Sequence, residues 1–329
     1  MINIGIIGYG KMGQIRAHSI DKSKIGRVKS IYEKNTLPKN TEYYRVEEIN
    51  EIIDDSEIDA IFICTPNYLN KPLTIQALGA GKHVFCEKPP AFTSHDVEEI
   101  INIEKINNKK LMYGFNHRHH QSITKMKKLI NSKEYGNVLW MRGRYGKSVD
   151  KTFFDTWRAK IDLAGGGILL DQGIHMLDLL IMFGGEFDTV HADVSNLFWN
   201  LEIEDNVFAI YKNTKTGIVA SLHSTMTQWR HLFSLEVFLE KGYLVLNGLK
   251  TSSGTYGNEI LSIAKNRTTA PAATWEDEEH FTISINDSWD SEVNEFLNAI
   301  ENDLPIENGS SADALAVMKL IDKTYKNGV

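Results

Sequence analysis

The stretch that decides the fold of this chain is INIGIIGYGKMG, residues 2–13. An apolar run at residues 3–7 has the composition of a buried strand, and Gly8, Gly10 and Gly13 follow it in the spacing G-x-G-x-x-G. Residues 12–22 then continue with a helical pattern. A strand, a glycine turn and a helix in direct succession predict the start of a βαβ unit that binds a dinucleotide.

Each glycine of this turn has a physical task. Gly8 permits the tight turn, Gly10 lets the backbone approach a pyrophosphate, and Gly13 allows the helix to pack closely on the strand. The helix start adds amide groups and partial positive charge. The alternative is a glycine-rich turn without a ligand. The predicted phosphate-binding residues are Gly8, Tyr9, Gly10, Lys11, Met12 and Gly13.

An acidic residue follows at the expected distance. Glu33 stands twenty positions beyond Gly13, at the end of a second predicted strand, residues 28–32. Its carboxylate can accept hydrogen bonds from the ribose diol and would repel a 2′-phosphate, which favours NAD(H). Lys34 follows directly and would offset part of this repulsion, so NADP(H) stays the alternative; a solvated charge at the strand end is the other interpretation of Lys34.

The first part of the chain alternates apolar runs with amphipathic stretches, as parallel sheets do. Predicted strands are residues 3–7, 28–32, 60–64, 84–86 and 111–115. Predicted helices are residues 12–22, 46–54, 72–80 and 95–107. At the start of the last helix, Thr93 and Asp96 have the spacing of a capping box. We therefore expect a Rossmann domain with a doubly wound parallel sheet over residues 1–118.

After one more helix at residues 122–130, the pattern changes to long runs rich in β-branched and aromatic residues. These runs are residues 138–145, 190–198, 207–211, 218–226, 233–239 and 242–246. Few helices separate them, which favours antiparallel pairing. The exceptions are a helix at residues 169–182 and two amphipathic helices in the tail, with apolar stripes around Phe296 and Met318. Residues 119–329 are thus expected to form an α/β domain with a large, mostly antiparallel sheet.

Composition excludes several classes of protein. The formal charge of −7 comes from 36 basic and 43 acidic residues scattered along the chain, so nucleic acid and membranes are not expected partners. No segment approaches the roughly 18 apolar residues of a membrane span, and the N-terminal run lacks the features of a signal peptide. Cys64 and Cys86 lie within apolar runs, as buried free thiols do. A cytoplasmic protein is predicted.

One candidate for chemistry is Lys88, in the sequence Cys86-Glu87-Lys88-Pro89-Pro90. It follows the predicted strand 84–86, and open α/β sheets bind ligands at the carboxyl ends of their strands. A lysine cation at this place can polarise a substrate oxygen. The alternative is an ordinary solvent-exposed lysine.

A second candidate is the pair Asp171 and His175, which stack four residues apart on the predicted helix, with Asp178 on the same side. Polar groups beside an apolar stripe suggest the wall of a cleft. The alternative is a histidine at the core edge, bonded to a local carboxylate. No matching ligand pair stands out elsewhere, so no metal is predicted.

The run 117–120, His-Arg-His-His, resembles a metal cluster at first sight. Adjacent side chains at a junction between strand and helix point in different directions, which disfavours shared coordination of an ion. A crevice lining or a solvated loop is the preferred interpretation.

Several stretches in this order resemble the glucose-fructose oxidoreductase and inositol dehydrogenase family, Gfo/Idh/MocA. They are the glycine turn, Cys64-Thr65-Pro66-Asn67, Glu87-Lys88-Pro89, residues 114–118, Trp157-Arg158, and Gly165-Gly166-Gly167 leading to Asp171 and His175. The resemblance covers nearly the whole chain. It implies a Rossmann domain followed by a substrate-binding domain whose sheet often serves oligomerisation, hence a homodimer or homotetramer.

The family resemblance also implies roles for individual residues. It places Glu87 near the nicotinamide and makes Lys88 the catalytic lysine, while Asp171 and His175 match the substrate-binding and acid/base pair. Further cofactor-binding residues by this resemblance are Thr65, Pro66, Asn67, Glu87, Lys88, Asn116, Trp157 and Arg158. The substrate-binding residues are Lys88, Arg118, Asp171 and His175. The sequence departs from the family at Arg16 and Asn70, where many members carry histidine.

These residues lead to one mechanistic hypothesis. His175 accepts a hydroxyl proton, Lys88 hydrogen-bonds the same oxygen, and hydride passes to an NAD(P) cofactor from a secondary alcohol of a sugar, inositol or sugar derivative. Asp171 orients the substrate or His175. The rivals are a dinucleotide-binding sensor without activity and a reductase of a non-sugar carbonyl.

Overall fold

A computed structural model describes residues 1–37, 41–251, 253–266, 269–271 and 273–328 of the chain. The described residues divide into two compact units. The first unit comprises Met1–His119, Asp162–Ala164 and Asp287–Met318. The second is formed by the described residues within His120–Ile161, Gly165–Asn286 and Lys319–Val329. The segment Asp287–Met318 therefore belongs to the first unit, although it lies far beyond the predicted boundary at residues 118 and 119.

The sheet of the first unit has six strands within the described ranges. They are β1 (Ile2–Ile7), β2 (Gly26–Tyr32), β3 (Tyr44–Val46), β4 (Ala60–Ile63), β5 (His83–Cys86) and β6 (Leu111–Tyr113). Their order is β3-β2-β1-β4-β5-β6, and every neighbouring pair is parallel. This doubly wound order confirms the predicted Rossmann sheet.

The helices of the first unit largely follow the predicted pattern. They include α1 (Lys11–Ser23), α2 (Asn50–Ile53), α3 (Asn70–Gly79), α4 (Ser94–Asn107) and, late in the chain, α8 (Ser288–Glu301). The capping box of α4 is confirmed: Asp96 N donates to Thr93 Oγ1 at 3.2 Å, and Thr93 N donates to Asp96 Oδ2 at 3.1 Å.

The helix predicted over residues 46–54 is confirmed in part, and its predicted start is wrong. The segment Tyr44–Val46 forms β3, and the helix is confined to Asn50–Ile53. Residues 44, 45 and 46 pair with Ser30, Ile31 and Tyr32 of β2. Pairing with a neighbouring strand therefore outweighs the local helical pattern.

Helix α8 covers the parallel sheet with the apolar stripe predicted for it. Phe296 packs edge-on against Phe62 and Phe85, at ring distances of 5.5 and 5.7 Å. Val293 and Leu297 are fully buried beside it. Burial of this stripe explains why a late segment belongs to the first unit.

The sheet of the second unit has eight strands among the residues described. They are β7 (Val138–Ser148), β8 (Thr189–Ser195), β9 (Asn206–Lys212), β10 (Val219–Thr225), β11 (Thr227–Leu239), β12 (Gly242–Asn247), β13 (Glu259–Lys265) and β14 (Glu279–Ile283). The order is β14-β13-β12-β11-β7-β10-β9-β8. Neighbours are antiparallel except β7 and β10, which confirms the large, mostly antiparallel sheet.

Strands β13 and β14 were not predicted. Strand β14 lies at the edge of the sheet with polar and partly exposed side chains, so it lacks the apolar alternation that marks a strand in sequence. The remaining helices are α5 (Gln121–Asn131), α6 (Ile161–Ala164), α7 (Ile174–Gly184) and α9 (Ser311–Asn327).

The helix predicted over residues 169–182 is not uniform. A π-helical turn, Leu169–Gly173, precedes α7, and Ile174 N donates to Leu169 O, five residues back. A π turn takes up an extra residue and rotates the side chains that follow it. Asp171 lies within this π turn and His175 within α7, so the helix that carries both residues begins with a wider turn than predicted.

The prediction that no segment is apolar enough to span a membrane is wrong for this region. Of the residues described, one helical stretch, Ile161–Gly184, reaches the length and hydropathy of a membrane span. Within its most apolar window, 78% is buried inside the fold. Burial of this kind is typical of the core helix of a soluble protein, and such a helix has the same composition as a span.

Candidate active site

The glycine turn has the geometry that its sequence predicts. Gly8 has φ +92°, and a Cβ there would lie 2.5 Å from Cys64 O. A Cβ on Gly13 would lie 2.1 Å from Gly8 O. At Gly10, by contrast, a Cβ would meet nothing within 4 Å. The outer two glycines are required by the fold, whereas Gly10 leaves open space beside the turn.

Glu33 lies beside this turn. Tyr9 N donates to Glu33 Oε2 at 2.7 Å, and Asn35 N donates to Glu33 Oε1 at 2.9 Å. Gly10 caps the N-terminus of α1 without a side-chain hydrogen bond. The open turn, the helix start and the held carboxylate together fit the pyrophosphate and ribose of a dinucleotide.

Thr65, Pro66 and Asn67 follow β4 after one residue, Cys64, and are partly exposed. Thr65 Oγ1 donates to Asn70 Oδ1 at 3.2 Å. Asn67 Nδ2 donates to Ala164 O at 2.8 Å. Their position after a strand of the parallel sheet agrees with a place along a ligand groove.

Glu87 and Lys88 directly follow β5, at the same edge of the sheet. Glu87 is 8% exposed, and Arg16 Nε donates to its Oε1 at 2.7 Å. Lys88 is partly exposed and precedes a cis peptide bond to Pro89. Glu87 is thus a buried anchor and Lys88 a more accessible group within one short turn.

Arg16 binds a second carboxylate. Its Nη1 donates to Glu292 Oε2 at 2.6 Å, and both side chains are fully buried. Burial raises the pKa of Glu292 to about 8; the charge of Arg16 works against this increase and that of Glu87 adds to it. Glu292 Oε1 has no hydrogen-bond partner among the residues described. Glu292 was not predicted as a site residue, because nothing in the sequence links α8 to α1.

The segment 116–120 is not a solvated loop, which corrects that interpretation. His117, Arg118 and His120 are all less than 8% exposed. Asn116 Nδ2 donates to Ser288 Oγ at 3.3 Å, and Arg118 Nη2 lies 3.1 Å from Asp313 Oδ1. Across the described ranges, no group of three or more His, Cys, Asp or Glu side chains has the arrangement of a metal site.

In the second unit, Asp171 lies between two cations. Lys147 Nζ is 2.9 Å from Asp171 Oδ2, and Arg158 Nε is 3.9 Å from Oδ1. The Arg158 guanidinium also lies over the Trp157 ring, at 4.3 Å. Lys147 lies near the end of β7 and was not predicted from the sequence. Lys147 and Asp171 are 24 residues apart, so their contact has no local sequence signal.

His175 is 6% exposed, and its ring lies 6.4 Å from that of Tyr145. Burial raises the pKa of Tyr145, and the neighbouring Tyr256 and Asp171 add to the increase. Tyr256 OH donates to Gln172 Oε1 at 3.4 Å, and its ring contacts His231 edge-on at 4.8 Å. These tyrosines, also missed in the sequence, make a polar wall beside the acidic residue.

The structure thus brings predicted residues together within each unit. In the first, Glu33 lies at the glycine turn, and Glu87 and Lys88 share one turn at the edge of the same sheet. In the second, Asp171 lies near Arg158. Asp178, by contrast, is 1% exposed and belongs to the interior.

Comparison with known families decides the identity of this architecture. The model described as "Oxidoreductase family, NAD-binding Rossmann fold" matches residues 2–115, and "GFO/IDH/MocA C-terminal domain" matches residues 123–245. The chain belongs to the Gfo/Idh/MocA oxidoreductase family. Membership confirms the resemblance seen in the sequence and the NAD-binding character of the first unit.

Curated relatives of this Gfo/Idh/MocA protein include levoglucosan dehydrogenase of Pseudarthrobacter phenanthrenivorans, 31% identical over 59% of this chain and 54% of that protein. Myo-inositol 2-dehydrogenase of Thermotoga maritima is 31% identical over 60% of this chain and 59% of that protein. The aligned part of the chain therefore spans little more than half the length of these relatives.

Solved structures share the whole fold. Levoglucosan dehydrogenase in complex with NADH and levoglucosan has a TM-score of 0.85 at 24% identity, covering 99% of this chain and 96% of that one. Aldose-aldose oxidoreductase from Caulobacter crescentus has a TM-score of 0.82 at 23% identity, covering 99% and 97%. At this level of identity, the likeness shows the fold alone.

Proposed function

We propose that this protein is an NAD(H)-dependent dehydrogenase acting on a secondary alcohol, or the corresponding ketone, of a sugar, inositol or sugar derivative. The observation that carries the proposal is the Glu33 carboxylate, 2.7 Å from Tyr9 N in the glycine turn, on the same sheet edge as Lys88. The relatives named above, a levoglucosan dehydrogenase and a myo-inositol 2-dehydrogenase, support the class of substrate.

The cofactor is held mainly by the first unit. The glycine turn and the start of α1 bind the pyrophosphate, and Glu33 accepts hydrogen bonds from the ribose and disfavours NADP(H). The bound nicotinamide supplies the redox chemistry, since protein side chains do not accept hydride. Further cofactor contacts are assigned to Thr65, Pro66, Asn67, Glu87, Lys88, Asn116, Trp157 and Arg158.

The remaining chemistry is proton transfer and positioning. His175 accepts the hydroxyl proton, and Lys88 donates a hydrogen bond to the same oxygen. Asp171, held by Lys147 at 2.9 Å, orients the substrate or His175. Arg118 is assigned to the substrate as well, although its ion pair with Asp313 at 3.1 Å also gives it a structural role.

The open face of the second sheet supports self-association. Phe208 and Ile210 on β9 are each 53% exposed, and Trp140 stacks on Phe238 at 4.1 Å. Apolar side chains in such numbers on one sheet face are typical of an interface. We assign this face to a homodimer or homotetramer of a cytoplasmic enzyme, which light scattering coupled to size-exclusion chromatography would test.

The first experiment is a fluorescence titration with NADH and NADPH. The same samples are then assayed with inositols, sugars, sugar phosphates and nucleotide sugars. Selective binding of NADH and turnover of a polyol are expected. Binding without any turnover would point to a dinucleotide sensor, and no binding would overturn the proposal.

The second experiment compares His175→Ala with His95→Ala. His95 is on α4, with a side chain 80% exposed, and serves as the control. Removal of a general base is expected to lower kcat by about 10²–10⁴-fold. If His175→Ala keeps wild-type turnover, the acid/base role is wrong; retained reduction of non-sugar carbonyls would favour that class of substrate.

A further inference from the structure

Asn70 holds the backbone on both sides of Lys88. It lies at the start of α3 and is fully buried. Its Nδ2 donates to Glu87 O at 3.1 Å and to Pro89 O at 2.8 Å. One side-chain amide therefore bridges the two peptide carbonyls that flank the candidate catalytic lysine.

The orientation of this amide is determined by its partners. Both hydrogens of Nδ2 are used by carbonyl oxygens, and Oδ1 accepts from Thr65 Oγ1 at 3.2 Å. A flipped amide would place Oδ1 against two carbonyls that cannot donate. A buried amide with each of its polar atoms engaged has a single favourable position.

The side chain of Glu87 is held independently. Arg16 Nε donates to Glu87 Oε1 at 2.7 Å, and Arg16 is itself bound to Glu292 at 2.6 Å. Glu87, which precedes Lys88, is therefore held through both its backbone and its side chain. Pro89, which follows Lys88, is held through its carbonyl. Arg16 and Asn70 thus hold the same turn through different groups.

We propose that Asn70 is a positioning residue for Lys88: its amide, through the carbonyls of Glu87 and Pro89, sets the place from which the Lys88 ammonium reaches the substrate oxygen. The proposal rests on the proposed function of Lys88. Catalytic groups must be held within about 0.5 Å of their productive geometry, so loss of the bridge lowers turnover more than it alters binding.

The test measures kcat, KM and the dissociation constant of NADH for Asn70→Ala, Asn70→Asp and Asn70→His. Asn70→Ala is expected to lower kcat by about 10–100-fold while NADH binding changes less than about threefold. Asn70→Asp lacks both donors and adds charge beside two carbonyls, so its kcat falls further. Asn70→His supplies a ring donor and recovers part of the loss.

The matched control is Gln76→Ala, on the same helix. Gln76 Nε2 donates to Asn50 Oδ1 at 2.9 Å, away from the Glu87–Pro89 turn. Its kcat is expected to stay within about twofold of wild type. If Asn70→Ala does not fold, Asn70→Ser is measured instead, since its hydroxyl keeps one donor.

The pH profile of kcat separates positioning from a structural role. A displaced Lys88 shifts the limb of the profile that depends on the lysine, and Asn70→His moves it back. Lower thermal stability with unchanged kcat and an unchanged profile would overturn the proposal. Wild-type turnover by Lys88→Ala would instead overturn the proposed function, so the two failures are distinguishable.

Discussion

Two carboxylates among the predicted site residues, Glu87 in the first unit and Asp171 in the second, are bound to cations in different settings. Glu87 lies 2.7 Å from Arg16, with side chains 10% and 1% exposed. Asp171 lies 2.9 Å from Lys147, with side chains 18% and 20% exposed. Glu292 joins the first pair and is fully buried, whereas Arg158 joins the second and is 43% exposed.

This difference in burial determines what each cluster contributes to the protein. The buried cluster has two carboxyl groups for one guanidinium, and water cannot replace a lost partner there. The partly exposed cluster has two cations for one carboxylate, and water can take the place of either. We therefore expect the Arg16 cluster to affect the free energy of unfolding and its pH dependence. The Asp171 cluster should affect substrate binding and turnover.

The largest effect is expected from Arg16→Leu. It leaves Glu87 as a buried carboxylate without its cation and Glu292 as a buried carboxyl group without its hydrogen-bond donor, a change that costs about 3–5 kcal/mol in the free energy of unfolding. Urea denaturation measures it. The control is Arg142→Leu, which removes a pair with Glu236 at 2.8 Å from a side chain 56% exposed and is expected to cost at most about 1 kcal/mol. Equal losses would contradict the comparison.

The pH dependence of stability should follow Glu292. Because burial raises its pKa in the folded protein to about 8, the folded state binds this proton more tightly than the unfolded chain does. The resulting stability is present at acidic pH and is lost as the pH rises towards 8.

Glu292→Gln should flatten this dependence, by on the order of 2 kcal/mol between pH 5 and pH 8. Arg16, Glu87 and Glu295 are the charged groups that face Glu292 and remain in the variant. Thermal unfolding at several pH values measures the slope. The same slope in both proteins would show that Glu292 is not the titrating group.

A smaller effect, on the substrate rather than the fold, is expected from Lys147→Met. Asp171 then loses a charge-assisted hydrogen bond, and kcat/KM falls about tenfold while the free energy of unfolding changes by less than about 1 kcal/mol. Steady-state kinetics and urea denaturation check both. Lys265→Met removes an exposed pair with Glu134 at 2.7 Å and serves as the control. A large loss of stability in Lys147→Met would contradict the expectation that the Asp171 cluster contributes little to the free energy of unfolding.

The smallest effect is expected from Arg158→Gln. Its side chain is 43% exposed and lies 3.9 Å from Asp171, so its charge is largely screened by water. Stability should change by less than about 0.5 kcal/mol, and KM or the dissociation constant of NADH by about threefold. If Arg158→Gln lowered kcat/KM more than Lys147→Met does, Arg158 would be the more important cation at Asp171.

The glycine turn and the sheet around it could be predicted because their signals are local. Gly8 and Gly13 are required because a Cβ would lie 2.5 Å from Cys64 O at the first position and 2.1 Å from Gly8 O at the second. The start of the helix predicted at residues 46–54 was wrong, since Val46 pairs with Tyr32 on a strand more than ten residues away. The π turn at Leu169–Gly173 could not be predicted, because no local pattern in the sequence marks the extra residue.

The sequence by itself determined the class of fold, the nucleotide turn with Glu33, and the candidates Lys88, Asp171 and His175, because residue type and short spacing carry that information. Only the tertiary structure decided what holds them. Arg16 and Glu292 are 276 positions apart, and Lys147 and Asp171 are 24 apart. Buried charges and amides choose partners by distance and desolvation across the fold, and separation along the chain does not limit that choice.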